Sequence, residues 1–342
     1  MNKPVMNQVR SIILSIIQKL RKVLRPFKKN YRRLKNFFWG IYLRQFFQTA
    51  HLITLLPLGY HTQNRIAYKL GRAYNPFRQL RPNLLSSFQT ALGVSLTEAR
   101  QILHQWEASK GLATMEIFRY AQMDREWVER HVEIDEPEIL SEIAQKGGQI
   151  LIYHTFHEHT LCAILGQSGI KLTPISAQVK NQPFAHHIGR YLNLSLSASE
   201  KKLSGGNYIY TGDKCNINKA MNTAFANGEV ILAACDTHHI DSSFHPIDFL
   251  GSSIRIKIGV LKWTKEAGVP VYFALLYPNF MGGYRLHLKS IGPLTDLQRD
   301  AQAYFNFFEK HLREAPWAWQ GWWWYPTMID PQFSLSFLYE DF

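Results

Sequence analysis

Between residues 96 and 313, short apolar runs rich in β-forming residues alternate with stretches whose apolar positions recur every three or four residues. The β-type runs are Gln149 to Tyr153, Leu172 to Ser176, Glu229 to Ala234, Val269 to Leu276 and Tyr284 to Leu288. Helical spacing is clearest from Leu96 to Tyr120, where Ile102, Leu103, Trp106, Leu112, Met115 and Ile117 would face a core. Further helices are predicted near Leu161 to Gly166, Phe184 to Leu192, Lys219 to Ala226, Ile256 to Glu266 and Asp300 to Arg313. Runs that are apolar throughout suit strands buried on both faces, and their alternation with helices predicts an α/β fold with a mostly parallel central sheet flanked by helices. No internal repeat or low-complexity linker divides the chain.

A different pattern occupies the N-terminus. Val9, Ile12, Ile13, Ile16, Ile17, Leu20, Val23 and Leu24 recur at helical spacing with Arg10, Lys19, Arg21, Lys22 and Arg25 largely between them, which predicts a basic amphipathic helix. After Pro26 come the cluster Lys28 to Lys35 and an aromatic run from Phe37 to Leu43, then Phe46, Phe47 and the apolar stretch Leu52 to Leu58. The expected organisation is therefore a membrane-association segment over residues 1–54 and a single body over residues 55–342.

Charge sharpens that division. The net charge of the 342-residue chain is +13, yet residues 1–97 hold seventeen Lys and Arg and no acid, while the remainder carries a net −4. Such asymmetry implies contact with a polyanion. Aromatics among the basic residues fit an anionic membrane surface, a solvated basic helix is the plainer alternative, and nucleic acid is disfavoured because no nucleic-acid-binding motif accompanies the charge. With 46% hydrophobic residues the chain can build a substantial core, which excludes a disordered or fibrous protein. A mean hydropathy of −0.21 without an 18-residue apolar run argues against a polytopic membrane protein. A cleavable signal peptide is not expected, since Ser11 to Ile17 runs directly into Gln18 and Lys19. The three cysteines, Cys162, Cys215 and Cys235, do not suggest a disulfide framework.

In open α/β sheets, reactive groups gather in loops just beyond the carboxyl ends of strands. Two such places are rich in chemistry: His154, His157, Glu158 and His159 after the first β-run, and Asp236, His238, His239 and His245 after the third. Eight of the fourteen histidines, including His186 and His187, fall between residues 154 and 245. So many imidazoles and carboxylates would also suffice for a zinc or iron site, which makes a metal-dependent enzyme one alternative, although neither the His-Glu-x-x-His nor the His-x-x-Glu-His spacing is present.

The stretch Gly147-Gly148-Gln149-Ile150-Leu151-Ile152-Tyr153-His154 resembles the strand and catalytic histidine of the lipid A biosynthesis late (lauroyl/myristoyl-type) acyltransferases, within the glycerophospholipid acyltransferase-like superfamily. In the same order, Asn83-Leu84 before Phe88, Ala113 to Arg119, Asn227 to Asp236, Asp248 to Gly251, Ala267 to Val271, Phe308-Glu309 and Pro316 to Trp319 resemble that family's other blocks. The resemblance implies transfer of a fatty acyl group from an acyl-carrier-protein or coenzyme A thioester to a hydroxyl, or an amine, of a hydrophobic acceptor at the cytoplasmic face of the inner membrane, without a cofactor. In the family's His-x4-Asp/Glu motif the histidine is the general base and the carboxylate orients it.

By that register His154 is the base, but position 159 is a histidine. The orienting group is then Asp236, Glu158 or His159, and the carboxylates are favoured because only they stabilise an imidazolium. Glu116, His157, His238 and Trp319 complete the expected substrate side of the site. Five of nine tryptophans lie between Trp317 and Trp324, where relatives continue into a basic sequence. They would form a packed cap, an interfacial belt or a wall for an apolar acceptor, the last pointing away from lipid A itself. The missing motif carboxylate leaves an inactive lipid-binding relative as the other alternative.

Overall fold

The computed structural model describes residues 44–73, 81–177, 185–211, 217–236, 244–257, 259–280 and 282–329. The basic stretch before residue 44, Cys215, His238 and His239 lie outside them. The strands are β1 (Val132–Ile134), β2 (Gly148–Ile152), β3 (Leu172–Ala177), β4 (Ile209–Thr211), β5 (Val230–Ala234), β6 (Phe244–Phe249), β7 (Ser252–Lys257), β8 (Pro270–Pro278) and β9 (Tyr284–Pro293). The helices are α1 (residues 44–55), α2 (Tyr60–Ala73), α3 (Arg81–Leu92), α4 (Leu96–Glu116), α5 (Arg125–His131), α6 (Pro137–Lys146), α7 (Glu158–Gln167), α8 (Ala185–Glu200), α9 (Ile217–Ala226), α10 (Gly259–Ala267), α11 (Leu297–Glu314) and α12 (Tyr325–Ile329).

Seven strands form one sheet in the order β1-β9-β8-β2-β5-β3-β4. From β8 through β4 every pairing is parallel, and β9 with β1, parallel to each other, run against the rest. Alternate residues of each central strand enter different cores, as a pleated strand buried on both faces requires. Ile150 and Ile152 of β2 join Tyr272, Ala274 and Leu276 of β8 beneath α7, whereas Leu151 and Tyr153 join Val271, Phe273 and Leu275 beneath α11. This two-sided burial explains why β2, β5 and β8 are nearly continuous apolar runs.

Sequence periodicity and structure differ most over residues 244–259. The helix expected to start at Ile256 begins at Gly259, because Ile254 and Ile256 are the alternating buried residues of β7 while Ser253 and Arg255 face outward. The pair β6–β7 is a separate antiparallel hairpin whose turn, Leu250-Gly251, has positive φ at both residues (52° and 75°), the geometry of a primed hairpin turn. Glu309 of α11 fastens that turn by accepting the Leu250 amide proton at 2.7 Å. Two of the resembling blocks thus meet in space.

Helix α1 crosses the boundary expected at residues 54 and 55. Phe46, Phe47, Ala50 and Ile53 are buried with the α7-side core, while Leu52, Leu55 and Leu56 are exposed. Among the described residues no helix is long and apolar enough to cross a membrane. Cys162 and Cys235 are free, buried thiols.

Candidate active site

Strands β2 and β5 are paired in parallel so that Ile152 stands opposite Ala234. His154 and Asp236 each lie two residues further on, so the same register carries both just past the carboxyl edge of the sheet. The Cys235 amide continues the ladder by donating to the Ile152 carbonyl at 3.2 Å. Two bonds then join the pair: the His154 amide donates to Asp236 Oδ2 at 3.0 Å, and His154 Nδ1 lies 2.6 Å from Asp236 Oδ1. An ionised carboxylate accepts only, so Nδ1 carries the hydrogen and Nε2 is the ring nitrogen available for chemistry.

Asp236 is fully buried, and a third donor helps to compensate its lost hydration. Trp319 Nε1 donates to Oδ2 at 2.7 Å, and Trp324 Nε1 donates to the Asp236 backbone carbonyl at 3.0 Å. The segment between those tryptophans also grips the other partner, since the Gln320 amide donates to the His154 carbonyl at 2.7 Å. Trp319 is itself anchored by Trp106 of α4, whose Nε1 donates to the Trp319 carbonyl at 2.9 Å. The tryptophan cluster is therefore a packed cap that supplies donors. Trp319, Trp322 and Trp324 are buried in the α11-side core, and Trp317 and Trp323 pack against it only partly buried.

His154 keeps 32% of its side chain exposed beside this buried carboxylate. Burial disfavours the charged ring, but the charge and hydrogen bond of Asp236 outweigh it, with a smaller attraction from Glu158, and the pKa rises to about 9. Glu158, the first residue of α7, is half-buried, and burial lifts its carboxyl to about 7 against the pull of His154. It acts on His154 through charge, whereas Asp236 is hydrogen-bonded to the ring.

His159 is directed elsewhere. Its Nδ1 lies 3.0 Å from the Tyr208 hydroxyl and 3.3 Å from Ser199 Oγ, and burial lowers its pKa to about 4, which keeps the ring neutral. His157 and Glu116 are also turned inward: His157 Nδ1 lies 2.9 Å from Glu116 Oε2, its Nε2 lies 2.9 Å from Ser109 Oγ, and Thr160 donates to the same Glu116 oxygen at 2.5 Å. With both side chains at most 1% exposed, this cluster braces the loop between β2 and α7 against α4. His238 lies outside the described residues, as do the side-chain positions of His186, His187 and His245. Among the described residues, the histidines and carboxylates after β2 and β5 do not converge as a metal-ligand group.

Sequence reasoning missed Trp324, Ser109, Ser199 and Tyr208. Nothing in a linear pattern pairs residues 109 and 157 or 208 and 159, which meet only where α4 and the segment leading into β4 pack against the start of α7.

The arrangement can hold an imidazole in one tautomer, stabilise its protonated form and present Nε2 to a bound hydroxyl, which is the equipment of a general base. Compared with curated proteins one at a time, the chain has no match. The sequence profile described as bacterial lipid A biosynthesis acyltransferase, however, matches residues 26–324, spanning all the strands and the tryptophan segment that holds Asp236. The chain belongs to the bacterial lipid A biosynthesis acyltransferase family, and it is an acyltransferase.

Proposed function

We propose that the enzyme transfers a fatty acyl group from an acyl-carrier-protein or coenzyme A thioester to a hydroxyl, or an amine, of a hydrophobic acceptor held at a membrane surface, with His154 as general base. The observation that carries this reading is the 2.6 Å contact between His154 Nδ1 and the buried Asp236 carboxylate on a ring that remains partly exposed. In the forward reaction the neutral ring accepts the acceptor's proton at Nε2 as its oxygen attacks the thioester carbonyl. The resulting imidazolium is stabilised by Asp236, and it returns the proton to the sulfur when the carbon–sulfur bond breaks.

The orienting carboxylate of this dyad comes from the neighbouring strand, in place of the one expected a helical turn beyond His154. Glu158 adds negative charge beside the ring and is the second carboxyl assigned to the site. Glu116 and His157 act at a distance, by setting the position of the loop that carries both.

Membrane attachment is assigned to the N-terminal arm, residues 1–54, joined to a catalytic body over residues 55–342. The acid-free basic sequence supports it, as do the exposed Leu52 and Leu55 of α1 and Leu56 just after it. In this reading Lys and Arg attract anionic lipid while the apolar residues enter the interface, for a peripheral or monotopic enzyme at the cytoplasmic face of the inner membrane.

Mass spectrometry of lipids from cells expressing the wild type, His154→Ala or no copy of the gene tests the assignment. A new acylated species present only with the wild type is expected. The same species in cells producing folded His154→Ala would remove His154 from the chemistry.

A further inference from the structure

A second group of imidazoles lies two strands away from His154 in the sheet order, where β9, α11 and the loop after β1 meet. His287 of β9 and His311 of α11 are 4% and 7% exposed, and their rings stack with centroids 3.9 Å apart. Glu314 completes a set in which one ligand atom from each of His287, His311 and Glu314 lies within 4.8 Å of the others. Asp135 adds a second carboxylate, with Oδ2 against His287 Nδ1.

The contact between His287 Nδ1 and Asp135 accounts for one imidazole only. His311 Nδ1 remains buried without a hydrogen bond, 3.6 Å from the Glu314 carboxylate. An unsatisfied buried nitrogen is costly. His287 is further prepared as a ligand, because its Nε2 lies 2.8 Å from the Tyr277 hydroxyl. That bond orients the ring and turns Nδ1 toward the carboxylates, as the outer partner of a metal-bound histidine does.

We propose that His287, His311, Glu314 and Asp135 form a binding site for one zinc-class divalent cation. Two neutral imidazoles and two carboxylates match both the charge and the donor preference of Zn2+, which takes nitrogen and oxygen ligands at about 2.0–2.2 Å in a tetrahedron. Neighbouring ligands of such a tetrahedron are about 3.3 Å apart, so rotamer adjustments within the present cluster would close it. Glu314 is 54% exposed, which gives the ion a path from solvent. The bound ion would clip the carboxyl end of α11 to the sheet directly before the segment that brings Trp319 and Trp324 to Asp236. Its role would be structural, and it stands apart from the acyl-transfer chemistry.

Untagged full-length protein, stripped with a chelator and dialysed, should bind one equivalent of Zn2+ by calorimetry and gain about 3 °C or more in Tm at saturation. Added Co2+ should give the visible absorption of a tetrahedral site. The exposed substitution Glu314→Gln should weaken zinc binding about 10- to 100-fold with the fold intact, and His311→Gln should weaken it at least as much, whereas His154→Ala should bind as the wild type does. Absence of stoichiometric binding by the wild type would overturn the proposal. So would affinity unchanged by both Glu314→Gln and His311→Gln.

Discussion

In the proposed mechanism Asp236 orients His154, and its surroundings compensate the burial of a carboxylate. His154 supplies two donors and Trp319 a third, so each carboxylate oxygen is engaged. Trp319→Phe removes one donor and some volume from a closed site. It should destabilise the protein by about 3 kcal/mol, from a lost hydrogen bond to a charged group plus a cavity, and lower turnover about 10-fold or more. Thermal denaturation and steady-state kinetics on the same preparation check both effects. At the family's carboxylate position, His159 contacts Tyr208 and Ser199, and we propose that its role is packing and hydrogen bonding. His159→Gln keeps a partner for Tyr208 and should leave kcat within about threefold, whereas His159→Glu should place a carboxyl in a partly buried, uncharged setting and lower Tm without raising activity.

The elements bring these residues together through close and specific contacts. Helices α2 and α4 cross so tightly that a Cβ on Gly111 would lie 2.1 Å from the Ala67 carbonyl oxygen, and one on Gly71 would lie 2.1 Å from that of Glu107. Gly111→Ala must push the helices apart and should cost about 3 kcal/mol, read as a lower Tm. Because α4 carries Trp106, Ser109 and Glu116, the same displacement should reach the active site and reduce kcat. The strands that deliver His154 and Asp236 are legible in the sequence, since burial on both faces writes β2 and β5 as nearly continuous apolar runs that end at polar, histidine-rich loops. The parallel sheet follows from the same runs. The β6–β7 hairpin is less legible, because its turn uses Leu250 rather than a typical turn residue and its anchor, Glu309, lies 59 residues away. The tryptophans are visible as a cluster, but their indole donors gain meaning only when Asp236 is placed beside them. The choice among Asp236, Glu158 and His159 turns on strand register and on the direction of α7's first turn, neither of which a spacing rule contains.

At the scale of the whole molecule, an acid-free basic stretch through residue 97 precedes a remainder of net charge −4, and α1 lies within that stretch with one face in the core and Leu52 and Leu55 facing out. Attachment to anionic liposomes should weaken as salt rises, because each Lys or Arg near the surface contributes on the order of 1 kcal/mol, screened within about 10 Å at 0.1 M salt. Deletion of residues 1–43 should reduce sedimentation with such liposomes, and equal sedimentation of both forms would count against the arm as the anchor. The proposed acyl transfer depends most on a base that His154 supplies and Asp236 controls. Its sign is fixed: the active form is the neutral ring, so activity must rise as pH climbs through the His154 pKa. The pH dependence of kcat/KM for acyl transfer from a long-chain acyl thioester, measured on wild type and Asp236→Asn, tests this directly. The wild type should show an ascending limb with an apparent pKa near 9. In Asp236→Asn, burial acts without the opposing carboxylate, so the limb should move below the ordinary histidine value of about 6.5 while the plateau falls roughly 10³- to 10⁴-fold. Superimposable profiles of equal height for the two enzymes would contradict the account.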